Sequence, residues 1–327
     1  MQTMNRRVMV RTLLGAAGAA VLLPRVGWSQ ATTSAPAVAA SEPARPPSPF
    51  ETAKVGVRRI SDSIDMLLGP GGNIAVLHGS DGQLVVDCGI PQRSRDVLTA
   101  LKGVSADPLK LLVNTHWHFD HAGGNEALAK AGATIVAHEN TRQHLSEKVT
   151  MEFFKMTLEP APLAARPVVT FADTATLHFN GETVALTHVP PAHTDGDIIV
   201  YFQNADVLHT GDLLFNGFYP FIDYSTGGSV DGMIAASEII AKMAGAKTTI
   251  IPGHGAVGTV EEVKAFGDML KAVRDAIRPL VEAGKSVKEV VAAKPLAALD
   301  DKWGKGMFDS ATFTQLVYAI ETLRLKK

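Results

Sequence analysis

The sequence predicts an α/β (α+β) fold in which two mixed sheets pack face to face with helices on the outside. Three observations predict it: groups of strand-like runs alternate with helical segments, two tight hairpin signals occur, and helix-start motifs recur late in the chain. Residues 74–77 and 84–86 are apolar strand runs joined through Gly79-Ser80-Asp81-Gly82, a hairpin connection. A short helix is expected over 96–102, then a strand over 110–114. A helix over 125–131, a strand over 134–137 and a helix over 141–148 follow. The second hairpin joins 176–179 to 183–189 through Asn180-Gly181, the turn pair that tolerates left-handed backbone. Strands are expected at 198–202 and 207–209. Ser229 caps a helix to about 243, before a strand at 248–251. Thr259-x-x-Glu262 and Ser286-x-x-Glu289 are capping boxes, so helices begin near 260 and 287, and a last one covers 311–323.

This assigns residues 50–284 to one large domain and 285–327 to a C-terminal helical extension. The extension is read as packing on the outer face, covering the site or making a dimer contact.

The N-terminus reads as an export signal. Arg6, Arg7 and Arg11 precede an apolar stretch over 13–23 that is too short to span a bilayer, and small residues Gly27 and Ser29 suit cleavage after 29. The Arg6-Arg7 pair points to twin-arginine export, with ordinary Sec export as the alternative. Residues 30–49, rich in Ala, Ser and Pro, read as a disordered linker. The expected location is the periplasm or the exterior of a bacterium, with no stable membrane insertion once the signal is removed. Loss of 1–29 leaves 27 basic against 33 acidic residues, a net charge of −6, which argues against a nucleic-acid surface. A small-molecule substrate is the expected partner, and the oligomeric state stays open. Cys88 is the single cysteine, so no intramolecular disulfide can form. At the end of the run Leu84-Val85-Val86-Asp87 it reads as a small buried hydrophobe.

The chemistry concentrates in His116-Trp117-His118-Phe119-Asp120-His121, directly after the apolar run Leu111-Leu112-Val113. Imidazole nitrogens suit zinc and a nearby carboxylate suits a second ion. In extended chain His116, His118 and Asp120 point one way and His121 another, so ligands can converge without a helix. The remaining histidines (His78, His138, His144, His178, His188, His209) lack matched partners. Of these, His209 could support Asp212, three residues on, and Asp87 at a strand end could support the site likewise. The segment 215–222 is unusually aromatic and reads equally as a substrate wall or as packed core.

Thr115-His-Trp-His-Phe-Asp-His-Ala-Gly-Gly124 resembles the His-x-His-x-Asp-His signature of the metallo-β-lactamase superfamily. His193 in Pro191-Ala-His-Thr-Asp-Gly, Asp212 in His209-Thr-Gly-Asp and His254 in Ile251-Pro-Gly-His-Gly follow in the order that family requires. The resemblance spans about 60–257 and implies an αββα sandwich with metals along the edge where the loops of the sheets meet. It implies a first metal on His116, His118 and His193 and a second on Asp120, His121 and His254, with Asp212 bridging. Zinc, two per chain, is the expected metal, with iron or manganese as alternatives. The implied chemistry is hydrolysis by a metal-bridging hydroxide that Asp120 orients, the catalytic role expected of that residue. Residues 66–72 fall where the family often carries a mobile flap.

Departures narrow the reading. Dedicated β-lactamases of the best-known branch carry Cys at the place of Asp212 and Lys three residues later. Here that position is Phe215, and no Lys occurs between Asp197 and Lys242. His118, where a di-iron flavoprotein branch has Glu, disfavours that branch. The expected activity is therefore exported, zinc-dependent hydrolysis of a small amide, ester, lactone or thioester, with β-lactam hydrolysis as one alternative. From another class, a redox or sulfur-metabolism accessory protein would use the same fold. A flavin or quinone would mark it, and no dinucleotide fingerprint is present.

Overall fold

Period-two alternation in the first strands builds two cores at once. The computed structural model describes residues 54–69 and 71–326. The expected signal peptide and the whole of the expected linker, residues 1–49, lie outside the described residues. Strands β1 (Gly56–Arg59), β2 (Ile64–Leu68), β3 (Ile74–Gly79), β4 (Gly82–Val86), β5 (Leu109–Val113) and β6 (Thr134–His138) pair in that order. A two-stranded ribbon follows, β7 (Val149–Met151) with β8 (Met156–Leu158), and then β9 (Val169–Phe171), which pairs in parallel with β6 to close the seven-stranded sheet. The sheet is antiparallel up to β4 and parallel from β4 onward. Ala75 and Leu77 of β3, with Leu84 and Val86 of β4, face the second sheet. The outward-facing Ile74, Val76 and Val85 pack on helices α1 (Ser94–Val104) and, after the one-turn helix α2 (Phe119–Ala122), α3 (Asn125–Lys130), through Val97, Leu101 and Leu128.

The second sheet begins after helix α4 (Glu139–Ser146) and β9. Its strands β10 (Thr174–Phe179), β11 (Glu182–His188), β12 (Ile198–Phe202) and β13 (Val207–His209) form an antiparallel meander, and a short strand β14 (Phe215–Asn216) lies beyond it. Asn180 and Gly181 both take left-handed backbone, the turn expected of that pair. Helix α5 (Val230–Met243), begun by the Ser229 side chain accepting from the Gly232 N–H, returns the chain to β15 (Thr249–Ile251), parallel to β13. Strand β16 (His254–Gly255) then pairs in parallel with β14. Ile198, Val200 and Phe202 close the inter-sheet core, while Ile199 and Leu208 face the outer helices. The result is the αββα sandwich, with its three apolar layers each anchored by fully buried side chains.

Both capping boxes are formed, at Thr259 for α6 (Val260–Glu282) and at Ser286 for α7 (Val287–Ala292). Helices α8 (Asp300–Trp303) and α9 (Ser310–Arg324) complete the chain. Phe313, Leu316, Val317 and Ile320 of α9 share one buried cluster with Met233 and Ile240 of α5 and with Phe266, Val273 and Ile277 of α6. Residues 285–324 are thus part of the helical layer over the second sheet. Among the described residues, no helix is long and apolar enough to cross a membrane.

One local expectation is corrected, and four short strands appear that the sequence did not signal. Residues 66–68, expected in a flap, belong to β2, where Met66 and Leu67 are fully buried between β1 and β3. The ribbon β7–β8 and strands β1 and β9 carry no clear alternation in the sequence, because strands of three or four residues are too short to show a period.

Candidate metal centre

The ligand candidates sit where strands of both sheets end. His116 and His118 follow the last residue of β5, Asp212 follows β13 in a single turn of 3-10 helix, and His254 follows β15. His193 is on the connection from β11 to β12. His118 has extended backbone and caps α2, so the chain turns helical at Phe119. That turn corrects the extended-chain expectation for Asp120. The carboxylate swings away from His116 and His118 and joins His121 and His254 instead.

All seven candidates are brought together in two groups. His116, His118, His193 and Asp212 form one, and Asp120, His121 and His254 the other. Asp212 spans them. Its Oδ2 lies 3.3 Å from His193 Nε2 and 3.8 Å from His116 Nε2, and its Oδ1 lies 3.0 Å from His121 Nε2 and 3.5 Å from His254 Nε2. Asp120 Oδ2 is 3.1 Å from His254 Nε2. Gly253 permits this closeness, since a methyl group there would overlap Asp212 Oδ1 and the Gly211 backbone.

The outer ring nitrogens decide which way each imidazole faces. His193 Nδ1 donates to the Phe221 carbonyl at 2.9 Å, and His118 Nε2 to Asp223 Oδ2 at 3.0 Å. A carbonyl can only accept, and Asp223 is held below the usual carboxylate range because bonding to His118 outweighs its burial. Both rings therefore present an N–H outward, which turns His193 Nε2 and His118 Nδ1 toward each other, 2.9 Å apart. His121 Nδ1 donates to Asp87 Oδ2 at 2.7 Å, and its Nε2 meets His254 Nε2 at 3.3 Å. His116 Nδ1 bonds Thr115 Oγ1 at 3.0 Å, and Thr115 Oγ1 donates onward to Asp87 Oδ2 at 2.7 Å. His116 Nε2 is left buried with no hydrogen-bond partner. Ring nitrogens converging from different chain segments and an orphaned buried nitrogen are the arrangement a metal ion in each group would satisfy. The residues fit two metal ions.

Charge differs between the groups. Burial drives the His116 imidazole well below its ordinary pKa and His193 down to about 4, which keeps them neutral and available as ligands. Burial acts the same way at His121, but Asp212, Asp120 and Asp87 outweigh it and hold that ring well above the ordinary value. Burial opposes ionisation of Asp120, yet His121 and His254 bring it to about 2, so it is ionised at neutral pH.

Asp87 serves both groups through Thr115 and His121. Its backbone is left-handed (φ 63°), a conformation Asp tolerates better than most residues, held here by the Thr115 N–H donating to its Oδ1 at 2.8 Å. His209 bonds the Asn73 carbonyl (3.0 Å) and accepts from the Gly211 N–H (3.2 Å), positioning the turn before Asp212. The other five histidines stand outside both groups: His138 stacks on His188 at 3.7 Å, and His78 and His144 pair with Asp65 and Asp195. Cys88 is buried, its thiol donating to the His121 carbonyl and pushed up by that burial.

Three supporting residues have no signal in the sequence. Asp223 lies 105 positions from the histidine it holds. Asn73 donates through Nδ2 to the carbonyls of Pro252 and Gly255 (2.8 and 3.0 Å), fixing the loop that carries His254. Asp197 accepts from the N–H groups of His193 and Thr194 and is pushed up to about 7 by burial. The aromatic segment after Asp212 divides between cavity lining and packed core. Phe215 and Phe221 line a cavity over the ligands, while Tyr219 is fully buried and stacks on Phe313 at 4.6 Å.

The family model of the metallo-beta-lactamase superfamily matches residues 68–263. A hydroxyacylglutathione hydrolase of Pelagibacter ubique is 28% identical over 127 residues, covering 38% of this chain and 44% of that protein, so this match spans less than half of the relative's length. The Homo sapiens acyl-coenzyme A thioesterase MBLAC2 is 24% identical over 208 residues, covering 56% of this chain and 72% of that protein. Among solved structures, a metallo-beta-lactamase from Pontibacter korlensis superposes with a TM-score of 0.56 at 21% identity, over 66% of this chain and 99% of that one. The sec-alkylsulfatase Pisa1 from Pseudomonas sp. does so with 0.61 at 17% identity, over 81% and 50%. At these identities the structural likeness concerns the fold.

Proposed function

The chain belongs to the metallo-β-lactamase superfamily, and from that premise we propose that it is an exported hydrolase that holds two zinc ions and cleaves a small amide, ester, lactone or thioester. The observation that carries the reading is the pair of opposed imidazole nitrogens, 2.9 Å apart in one group and 3.3 Å in the other, on either side of the shared Asp212. Relatives whose names denote hydrolysis of thioesters support the reaction class.

Bound in the two groups, zinc supplies Lewis acidity at the substrate carbonyl and water with a pKa lowered to around 7. His116, His118 and His193, all nearly solvent-free, would hold one ion, with His116 and His193 kept neutral by burial. Asp212 would be shared between the ions, since one of its carboxylate oxygens faces each group. Asp120, ionised and partly open to the cavity floor, accepts a hydrogen bond from the attacking water and so orients it. With its pKa near 2 it is too weak a base to keep the proton, and its role is positioning. No serine or cysteine nucleophile is required. The export signal read at the N-terminus supports a location in the periplasm or outside the cell.

The test is metal analysis of the purified mature protein combined with a panel of chromogenic esters, thioesters, lactones and a cephalosporin. The expected result is about two zinc per chain and turnover of at least one class, lost in His116→Ala with the fold retained. Full activity in His116→Ala would overturn the reading.

A further inference from the structure

The cavity over the metal ligands, about 300 Å³, is bounded on its floor by His118, Asp120, Asp212 and His254. Its walls are apolar throughout and come from three separate places. The β7–β8 ribbon supplies Met151, Phe154 and Met156, the segment after Asp212 supplies Phe215 and Phe221, and the turn between α8 and α9 supplies Met307. A second cavity, about 550 Å³, opens on the other side of Met307 and also reaches His254, with Leu68, Phe218 and Ala256 in its wall. Among the described residues, no Lys or Arg side chain lines either cavity.

The walls are built structure. Phe154 packs on Phe221 with ring centroids 4.6 Å apart and on Phe308 at 6.2 Å, and Phe153 meets Phe308 edge-on at 5.8 Å, so ribbon and C-terminal turn close on each other. The turn is tied down on its far side. The Tyr219 N–H donates to the Trp303 carbonyl at 3.0 Å, Ser310 Oγ donates to Asp300 Oδ2 at 2.8 Å, and Gly306 lies so close to the Phe218 ring that a methyl group would overlap it. Even so, Phe119 and Phe154 are 41% exposed and Met307 50%, three of the nine exposed large apolar side chains among the described residues, and all three gather at this mouth. Exposed apolar surface concentrated around a reactive centre marks a surface meant to be covered by a ligand. Met307 lies beyond residue 263, where the family match ends, so this wall belongs to the chain's own C-terminal part.

We propose that the substrate is a neutral ester carrying an unbranched apolar acyl chain, which lies between the β7–β8 ribbon and Met307 with its carbonyl over Asp120 and Asp212. This rests on the hydrolase reading. A substrate with a second anionic group would find no cation in either cavity to receive it, whereas a chain of methylenes would cover Phe154, Met156 and Met307. In the reaction water adds to the carbonyl carbon and the bond from that carbon to the leaving oxygen breaks. The alcohol departs with a proton from the water, and a carboxylic acid remains. Methionines at three points of the wall suit chains of more than one length, since the thioether side chain repacks at little cost.

The experiment measures kcat/KM of the two-metal protein on p-nitrophenyl esters from acetyl to octanoyl, alongside a cephalosporin and a glutaryl ester. The expected result is a rise of roughly two- to fourfold per added methylene, the return on burying a CH2, with the anionic compounds at least tenfold poorer than octanoyl. Met307→Gln and Phe154→Ala, both at exposed positions, should each flatten that slope. Binding of 1-octanol by calorimetry reads the cavity without chemistry and should weaken in the same variants. A flat or falling chain-length profile, or preference for the glutaryl ester or the cephalosporin, overturns the proposal. Octanol binding that depends on Met307 with no turnover of any compound would overturn the hydrolase reading and leave the apolar cavity standing.

Discussion

In the first metal pocket every histidine is at most 2% exposed and each outer ring nitrogen is tied, to Thr115, Asp223 or the Phe221 carbonyl. In the second, Asp120 has a side chain about 19% exposed, and His254 is held chiefly through the loop that Asn73 pins from below. The two pockets share Asp212 and differ in how strongly the fold fixes their geometry. The difference teaches that the first pocket is set in the framework between the sheets, with only His118 reaching the cavity, while the second opens onto it through Asp120 and His254, where side chains can adjust as a ligand enters. Dilute chelator should therefore strip the second pocket before the first, read as a break at one zinc per chain in a metal titration. Simultaneous loss of both would contradict the asymmetry.

Asp212→Ala is expected to give the largest effect, since it removes the ligand common to both pockets. Loss of several kcal/mol of charge stabilisation corresponds to a fall of about 10³-fold or more in kcat/KM, with both ions bound weakly and the circular dichroism of the fold retained. The two next variants separate the pockets. Asp223→Asn takes the carboxylate from His118 and should weaken the first ion by roughly 10- to 100-fold in affinity. Asn73→Ala leaves the Pro252 and Gly255 carbonyls without their donor, a loss of about 1–3 kcal/mol, and should weaken the second ion by roughly tenfold. If Asp223→Asn instead loosened the second ion first, the order of the pockets would have to be reversed.

The same contrast explains what could be read in the sequence. Ligands on short motifs at strand ends are visible because the apolar run before each one announces the strand, as Leu111-Leu112-Val113 does for His116. Hairpins and capped helices were legible for a similar local reason, since Asn180-Gly181, Thr259-x-x-Glu262 and Ser286-x-x-Glu289 each carry their geometry within a few residues. Asp87 could be suspected from its strand-end position. Asp223 and Asn73 could not, because their bonds join loops 105 and 179 positions apart, and no local pattern encodes such a meeting. The turn at Phe119 that redirects Asp120 is a single helical turn inside a motif that also fits extended chain. The apolar walls depend on Met307 meeting the ribbon, which is tertiary packing alone.

The smallest expected effect lies outside both pockets and guards the comparison against a general loosening of the fold. His138 stacks on His188 with ring centroids 3.7 Å apart, its Nε2 donating to the Ala172 carbonyl at 2.7 Å. Burial, and then the neighbouring His188, lower its pKa below the ordinary histidine value. The folded chain then binds fewer protons at this ring than the unfolded chain does. Its contribution to stability is full above about pH 6.5, the unfolded value, and is lost progressively as pH falls through the window down to the lowered folded value. His138→Gln removes the titrating ring. The variant is expected to melt at a lower temperature at pH 8, where its packing is lost, yet to show a shallower decline between pH 7 and 5 than the parent protein at equal zinc content. An unchanged decline would place the acid sensitivity of the fold elsewhere. Chelator sensitivity of the two pockets should be the same in this variant as in the parent, so that acid destabilisation of the sandwich and release of the second ion can be measured apart.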